Sequence, residues 1–275
     1  MTAKVISIGI QKGGVGKSTS CAQMGFFLVE KGFKTLLIDM DSQGNSSGRI
    51  TQKKRRKDTE DEFTRSFQLL SENNSEKIQV EETKYGLDVI RANSKDSGLL
   101  EVQHSSFENA YIFGKNLEKY GLLEQYDYIV IDCPPSVDFR MVAPLIASNY
   151  LLMPLELAAY SESGVEDMFE DALLIKENLN PNLEILGFFA NKVNRVSKDH
   201  KQGMKEFRTV LGDQLFFKNV IGGRIALDYA TGRGLPISQV KSSAGRDAKR
   251  EVHAVFEEML KRIKKIEKKK KAEQK

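Results

Sequence analysis

Residues 10–20, IQKGGVGKSTS, concentrate the residue types that bind phosphate. Gly13, Gly14 and Gly16 let backbone N–H groups close around a pyrophosphate, with Val15 and Thr19 in the same cradle. Lys17 brings a point charge to the outer phosphates, and Ser18 offers a hydroxyl to Mg²⁺ at the start of a helix whose dipole favours anions. A strict phosphate-loop pattern would place Gly at position 11, where this chain has Gln11. That chemistry needs one lysine, and the stretch carries two, Lys12 and Lys17. Two acids complete the set: Asp41 in LLIDMDSQGNSS (36–47) and Asp132 in YIVIDCPPS (128–136). An acid ending an apolar strand is commonly a cap or half of an ion pair. Two of them at adjacent strand ends beside a phosphate loop read better as a magnesium site.

These residues must be positioned by a sheet. KVISIGI (4–10) has the pattern of a buried strand, residues 17–31 that of a helix ending at Gly32, and KTLLIDM (34–40) that of a second strand. GLDVI (86–90), YDYIVID (126–132), NYLLMPL (149–155) and EILGFFAN (184–191) follow, each separated from the next by room for a helix. This predicts an α/β fold, a mostly parallel twisted sheet covered by helices on both faces. In such sheets ligands bind beyond the carboxyl ends of the strands. Residues 11–18, 39–41, 132–135 and 191–194 all fall there, so they are expected to converge.

The chain has 275 residues, 40% hydrophobic and 29% charged, enough for one large domain, expected over 1–266. Cys21 and Cys133 sit far apart in apolar segments, which suggests neither a disulfide framework nor a paired metal site and fits a reducing cytosol. No run approaches the length of a membrane span, and the N-terminus lacks the pattern of an export signal. The formal charge of +4 is unevenly spread. Residues 261–275 hold nine Lys and Arg against two Glu, a net of +7, so the other 260 residues sum to 4 − 7 = −3. Residues 267–275 are therefore expected to form a disordered lysine-rich tail. KKRRK (53–57) lies in a highly charged 49–62 segment with no assigned role, and further cations are scattered from Arg224 to Arg250.

KGGVGKST resembles the deviant Walker A loop of the ParA/MinD group of P-loop ATPases. The resemblance implies that Lys17 serves its own active site while Lys12 reaches the phosphates of a partner across an ATP-sandwich homodimer. A charge supplied in trans ties hydrolysis of Mg·ATP to dimerisation, as an arginine finger does. It also implies that Asp41 positions the attacking water and the Mg²⁺ shell, that Asp132 holds the metal through water, and that Asn191 contacts adenine. YGLDVIRANSKDS, NYLLMPLELAAYSESGVEDM and GLPISQVKSSAGRDAKREV are similar to ParA segments too, so the resemblance covers nearly the whole chain. It departs at Ile10, where the family often has Asn, and at Ser42, where it often has Pro.

Within that group, cluster-ligating cysteines and a C-terminal tyrosine cluster are both missing, which argues against the iron-protein and tyrosine-kinase branches. Membrane-cycling members end in an amphipathic helix. Residues 252–266 do place Val252, Val255, Phe256, Met259, Leu260, Ile263 and Ile266 on one face, but such a face more often packs on its own domain. The resemblance therefore implies a cytoplasmic, nucleoid-associated partitioning ATPase that binds nonspecific double-stranded DNA as an ATP dimer and is stimulated by a ParB-like centromere-binding protein. A membrane-cycling or other cargo-positioning ATPase is the alternative. Candidate DNA contacts are Arg195, Arg224, Arg233, Lys241, Arg246, Lys249 and Arg250, with Arg224 and Arg250 foremost.

Overall fold

The computed structural model describes residues 2–9, 13–51, 63–72, 77–93, 95–157 and 162–273, with no side-chain description for 162–168. Seven strands form one sheet: β1 (Lys4–Ile8), β2 (Thr35–Asp39), β3 (Glu81–Glu82), β4 (Leu87–Ile90), β5 (Tyr128–Asp132), β6 (Tyr150–Glu156) and β7 (Glu184–Asn191), in the order β3-β4-β2-β5-β1-β6-β7. Every pairing is parallel except β3 with β4. Six strands lie where apolar runs predict them. The edge strand β3 does not announce itself, because Glu-Glu has weak strand propensity. Its Glu81 is buried and faces Arg91 at 3.9 Å.

Ten helices are described: α1 (Lys17–Glu30), α2 (Ser47–Ile50), α3 (Ser97–Val102), α4 (Ile112–Lys119), α5 (Leu122–Gln125), α6 (Phe139–Ala147), α7 (Glu162–Asn178), α8 (Lys198–Leu215), α9 (Ile225–Gly232) and α10 (Ser243–Glu273). Side chains alternate along each strand between two cores, as a period of two requires. Ile6, Val130 and Phe189 face a layer with Met24 and Phe27 of α1 and Val255, Phe256 and Met259 of α10. Val5, Ile129 and Phe188 face the opposite layer with Phe113, Leu117, Phe139 and Phe207. Helix α1 closes as its sequence predicts, with Lys31 and Gly32 N–H groups bonded back to Phe27 and Val29 and Gly32 at φ +86°.

The expected boundary at 266/267 is absent. Helix α10 runs on through the lysine run to Glu273, and the sequence from 246 to 273 contains neither Gly nor Pro to stop it. Three contacts among the described residues hold this extension to the sheet: Lys4 to Glu267 at 2.8 Å, the Tyr150 hydroxyl to Glu267 at 3.4 Å and Lys270 to Glu184 at 2.7 Å. The apolar face at 252–266 is covered: Val252, Val255, Phe256, Met259 and Ile263 are buried, and Leu260 and Ile266 pack against them. No described helix is long and apolar enough to cross a membrane.

Candidate functional site

Strand register builds the site. Ile8 of β1 and Asp39 of β2 both lie opposite Asp132 of β5, so three strand ends finish in one row and deliver their loops to one place. Gly16 caps α1 in the left-handed region at φ 90°, and Gly14 sits at φ 81°. A side chain at either would be strained, and a Cβ at Gly16 would also run into Asn191 Nδ2. Among the described residues nothing lies within 4 Å of a Cβ at Gly13 or Gly14, which leaves the cradle open to them on that side.

Lys17 is buried in the first turn of α1. Burial holds its ammonium below the ordinary lysine value, while the Asp132 and Asp41 carboxylates oppose that shift. Asp132 is fully buried, and among the described residues neither of its carboxylate oxygens accepts a hydrogen bond of normal geometry. Its carboxyl is raised by burial first and by the neighbouring Asp39 second; Ser18 and Ser46 hydroxyls face it closely enough to offset part of the rise without completing a normal hydrogen bond. A buried, unsatisfied carboxylate is costly unless a cation answers it. Among the described residues no group of three His, Cys, Asp or Glu side chains could hold an ion alone. That donor set suits Mg²⁺, which keeps waters and shares phosphate oxygens with one or two protein ligands. The residues present fit Mg²⁺ with a nucleotide.

Asp39 and Asp41, separated by Met40, have different work. Asp39 is buried, and its oxygens accept the Asp41 N–H at 3.1 Å, the Ser47 N–H at 3.0 Å and the Ser47 hydroxyl at 2.7 Å. Its carboxyl is raised by burial, with the Ser47 bonds opposing. It shapes the turn. Asp41 is half-buried, accepts the Gln43 N–H at 2.9 Å, and is close enough to Lys17 for its charge to favour the ammonium. Lys12, with residues 10 and 11 and the KKRRK cluster at 53–57, lies outside the described residues.

The end of β7 braces the phosphate loop. Asn191, placed against adenine by the resemblance, is buried and donates Nδ2–H to the Val15 carbonyl at 2.8 Å. The next residue, Lys192, takes a left-handed φ of 53°, and its ammonium bonds the Gly14 carbonyl and Glu156, the latter at 3.1 Å. Nothing in the sequence singles out Lys192; its role depends on a backbone conformation uncommon outside glycine. Burial pushes the Cys133 thiol up to about 12 and raises Cys21 well above its usual value, so neither is a ready thiolate.

The candidate DNA cations fall into smaller sets. Segment 221–223 runs beside Val193, which brings Arg224 next to Arg195. Both guanidinium groups converge on Glu251 of α10, at 2.7 and 3.2 Å, and Glu251 also accepts the Gly222 N–H at 2.9 Å. Burial would raise this carboxyl, but the Arg224, Gly222 and Arg195 contacts hold it below the usual glutamate value. Arg250 pairs with Asp247 at 3.0 Å and stays three-quarters exposed. Arg246 donates to the Lys241 carbonyl, and Arg246, Lys249 and Arg250 share one face of α10 by spacing. Arg233 stacks on Tyr229 at 3.9 Å at the far end of α9. Sequence spacing gave no sign that Glu251 gathers two of these arginines.

A glycine cradle at a strand end, a buried lysine opening the next helix and acids on the two neighbouring strands define a phosphate-loop nucleotide-binding protein of the doubly wound α/β type. A family model described as an AAA domain matches residues 3–185. The chromosome partitioning protein ParA of Caulobacter vibrioides is 30% identical over 234 residues, 85% of this chain and 86% of its own. An uncharacterized protein of Methanocaldococcus jannaschii is 36% identical over 242 residues, 85% of this chain and 90% of its own. Among solved structures, a putative plasmid partition protein of Borrelia burgdorferi B31 bound to AMPPNP superposes with a TM-score of 0.72 at 26% identity, covering 95% of this chain and 99% of that one. The chain belongs to the ParA family of ATPases.

Proposed function

We propose that this protein is a DNA-partitioning ATPase in which Mg·ATP completes a homodimer, the dimer binds DNA without sequence preference, and a ParB-like centromere-binding partner triggers hydrolysis and release. The observation that carries the reading is the buried, unsatisfied Asp132 carboxylate beside Ser18 and Lys17 under an open glycine cradle. Bound Mg²⁺ would neutralise phosphate charge. Lys17 and the backbone of 13–19 bind the phosphates, Ser18 and Asp132 hold the metal, and Asp41 orients the attacking water. Asn191 and Lys192 keep the loop in shape. Lys12 of each subunit acts on its neighbour's phosphates, so neither site is complete alone. The relatives' names support partitioning, and the paired arginines at Glu251 with the exposed cations of α10 support a DNA-facing surface.

The mass of the protein in solution tests the dimer directly. It should be that of a monomer without nucleotide or with ADP and of a dimer with ATP and Mg²⁺. A mass independent of nucleotide would contradict the proposal.

A further inference from the structure

Two loops flank the proposed reaction centre: the turn after β2, carrying Asp41, and the segment after β5, carrying Asp132 and leading into α6. A buried side chain of α6, Arg140, spans them. Its Nε donates to Asp138 Oδ1 at 3.0 Å, and its Nη2 donates to Asp138 Oδ2 at 2.5 Å and to Ser136 Oγ at 3.3 Å. Its Nη1 crosses to the other loop and donates to Ser42 Oγ at 3.2 Å. Ser136 donates to Asp138 at 2.6 Å, and Asp138 caps α6 by accepting the Arg140 N–H at 2.9 Å. Ser42 is buried and held from a second side, its carbonyl accepting the Asp96 N–H at 3.1 Å. It directly follows Asp41 in the chain.

We infer that Ser42, Arg140 and Asp138 are positioning residues that join the Asp41 turn to the Asp132 segment, so that the two acids hold one geometry and shift together. The inference rests on the roles proposed for Asp41 and Asp132. A bidentate guanidinium–carboxylate pair fixes Arg140 in direction as well as place, which leaves Nη1 a rigid pointer at position 42. Proline, which the family often has at that position, would keep the carbonyl that Asp96 uses but offer no hydroxyl to Arg140. The serine is thus a departure from the family pattern that gains a specific partner. A plain helix cap would need Asp138 and Arg140 only; Ser42 adds nothing to it, which makes Ser42 the discriminating position.

Two measurements on the full chain test the coupling. In nucleotide-free protein, hydrogen exchange should rise in 132–140 when the substitution is Ser42→Ala, and in both 39–47 and 132–140 when it is Arg140→Met. In steady state, Ser42→Ala should lower kcat about 3- to 10-fold, because small displacements of catalytic groups cost rate, with ATP KM within about twofold of wild type, the split expected when ground-state binding is untouched. Adding Arg140→Met to Ser42→Ala should cost no more than Arg140→Met alone. Wild-type kcat in Ser42→Ala, an exchange increase confined to 39–47, or effects that multiply in the double variant would each overturn the coupling. Should Arg140→Met fail to fold, Ser42→Ala alone decides. Normal hydrolysis by Asp41→Ala would instead refute the reading of the site, whatever the exchange data show.

Discussion

Under the proposed mechanism the two lysines of the phosphate loop divide catalysis between cis and trans, and substitution should separate them. Lys17 is buried against Asp132 and Asp41. Lys17→Ala should therefore weaken ATP binding by about 10- to 100-fold, the scale of one charged hydrogen bond, in a direct nucleotide titration; wild-type affinity would refute its role. Lys12→Ala should bind ATP and remain a monomer that does not hydrolyse it. Asp41→Ala should bind ATP with near-normal affinity and lose turnover, since it removes an interaction made in the transition state, and should persist as a dimer on DNA. Rapid ATP-dependent release by that variant would contradict its assignment. The phosphate loop and both acids were legible because glycine, lysine and acid at fixed spacing after apolar strands have few other uses. The difference between Asp39 and Asp41 was not legible: it comes from the turn, in which the Ser47 N–H and hydroxyl bond Asp39 and leave Asp41 half-buried.

Among the elements, α10 changes most from its sequence reading. Apolar spacing over 252–266 fits both a membrane-binding face and a core face, and the pattern alone does not choose. Packing does: Phe256 is fully buried and meets Phe27 of α1 at 5.6 Å between ring centroids. Phe256→Ala should cost about 3–5 kcal/mol of stability in chemical denaturation; a loss below about 1 kcal/mol would mean the helix is not docked in solution. The lysine run was read as a tail from its charge, yet lysine is a good helix former and the preceding helix supplies a template. Glu184 and Lys4 then anchor it. Edge strand β3 escaped because its two glutamates carry no apolar signal. Its place in the sheet comes from pairing with β4.

At the scale of the whole molecule, the candidate DNA cations include a pair held by Glu251, Arg195 and Arg224, and a set along α10, Arg246, Lys249 and Arg250, with Arg233 and Lys241 outside both. Arg224→Ala combined with Arg250→Ala should weaken ATP-dependent DNA binding and flatten its salt dependence, since each phosphate contact contributes to the slope, while leaving ATP-driven dimerisation intact. Removal of residues 268–275 should have the smaller effect. If the truncated protein loses binding and the double arginine variant keeps it at every salt concentration, the lysine-rich end of α10 is the DNA element instead. Under the proposed function, ATP gates DNA binding through the dimer. Retention of the wild-type chain on nonspecific double-stranded DNA, compared with ATP, with ADP and without nucleotide at one fixed salt concentration, tests it most directly. Strong retention should require ATP and Mg²⁺; equal retention in all three conditions would rule out nucleotide-gated DNA binding.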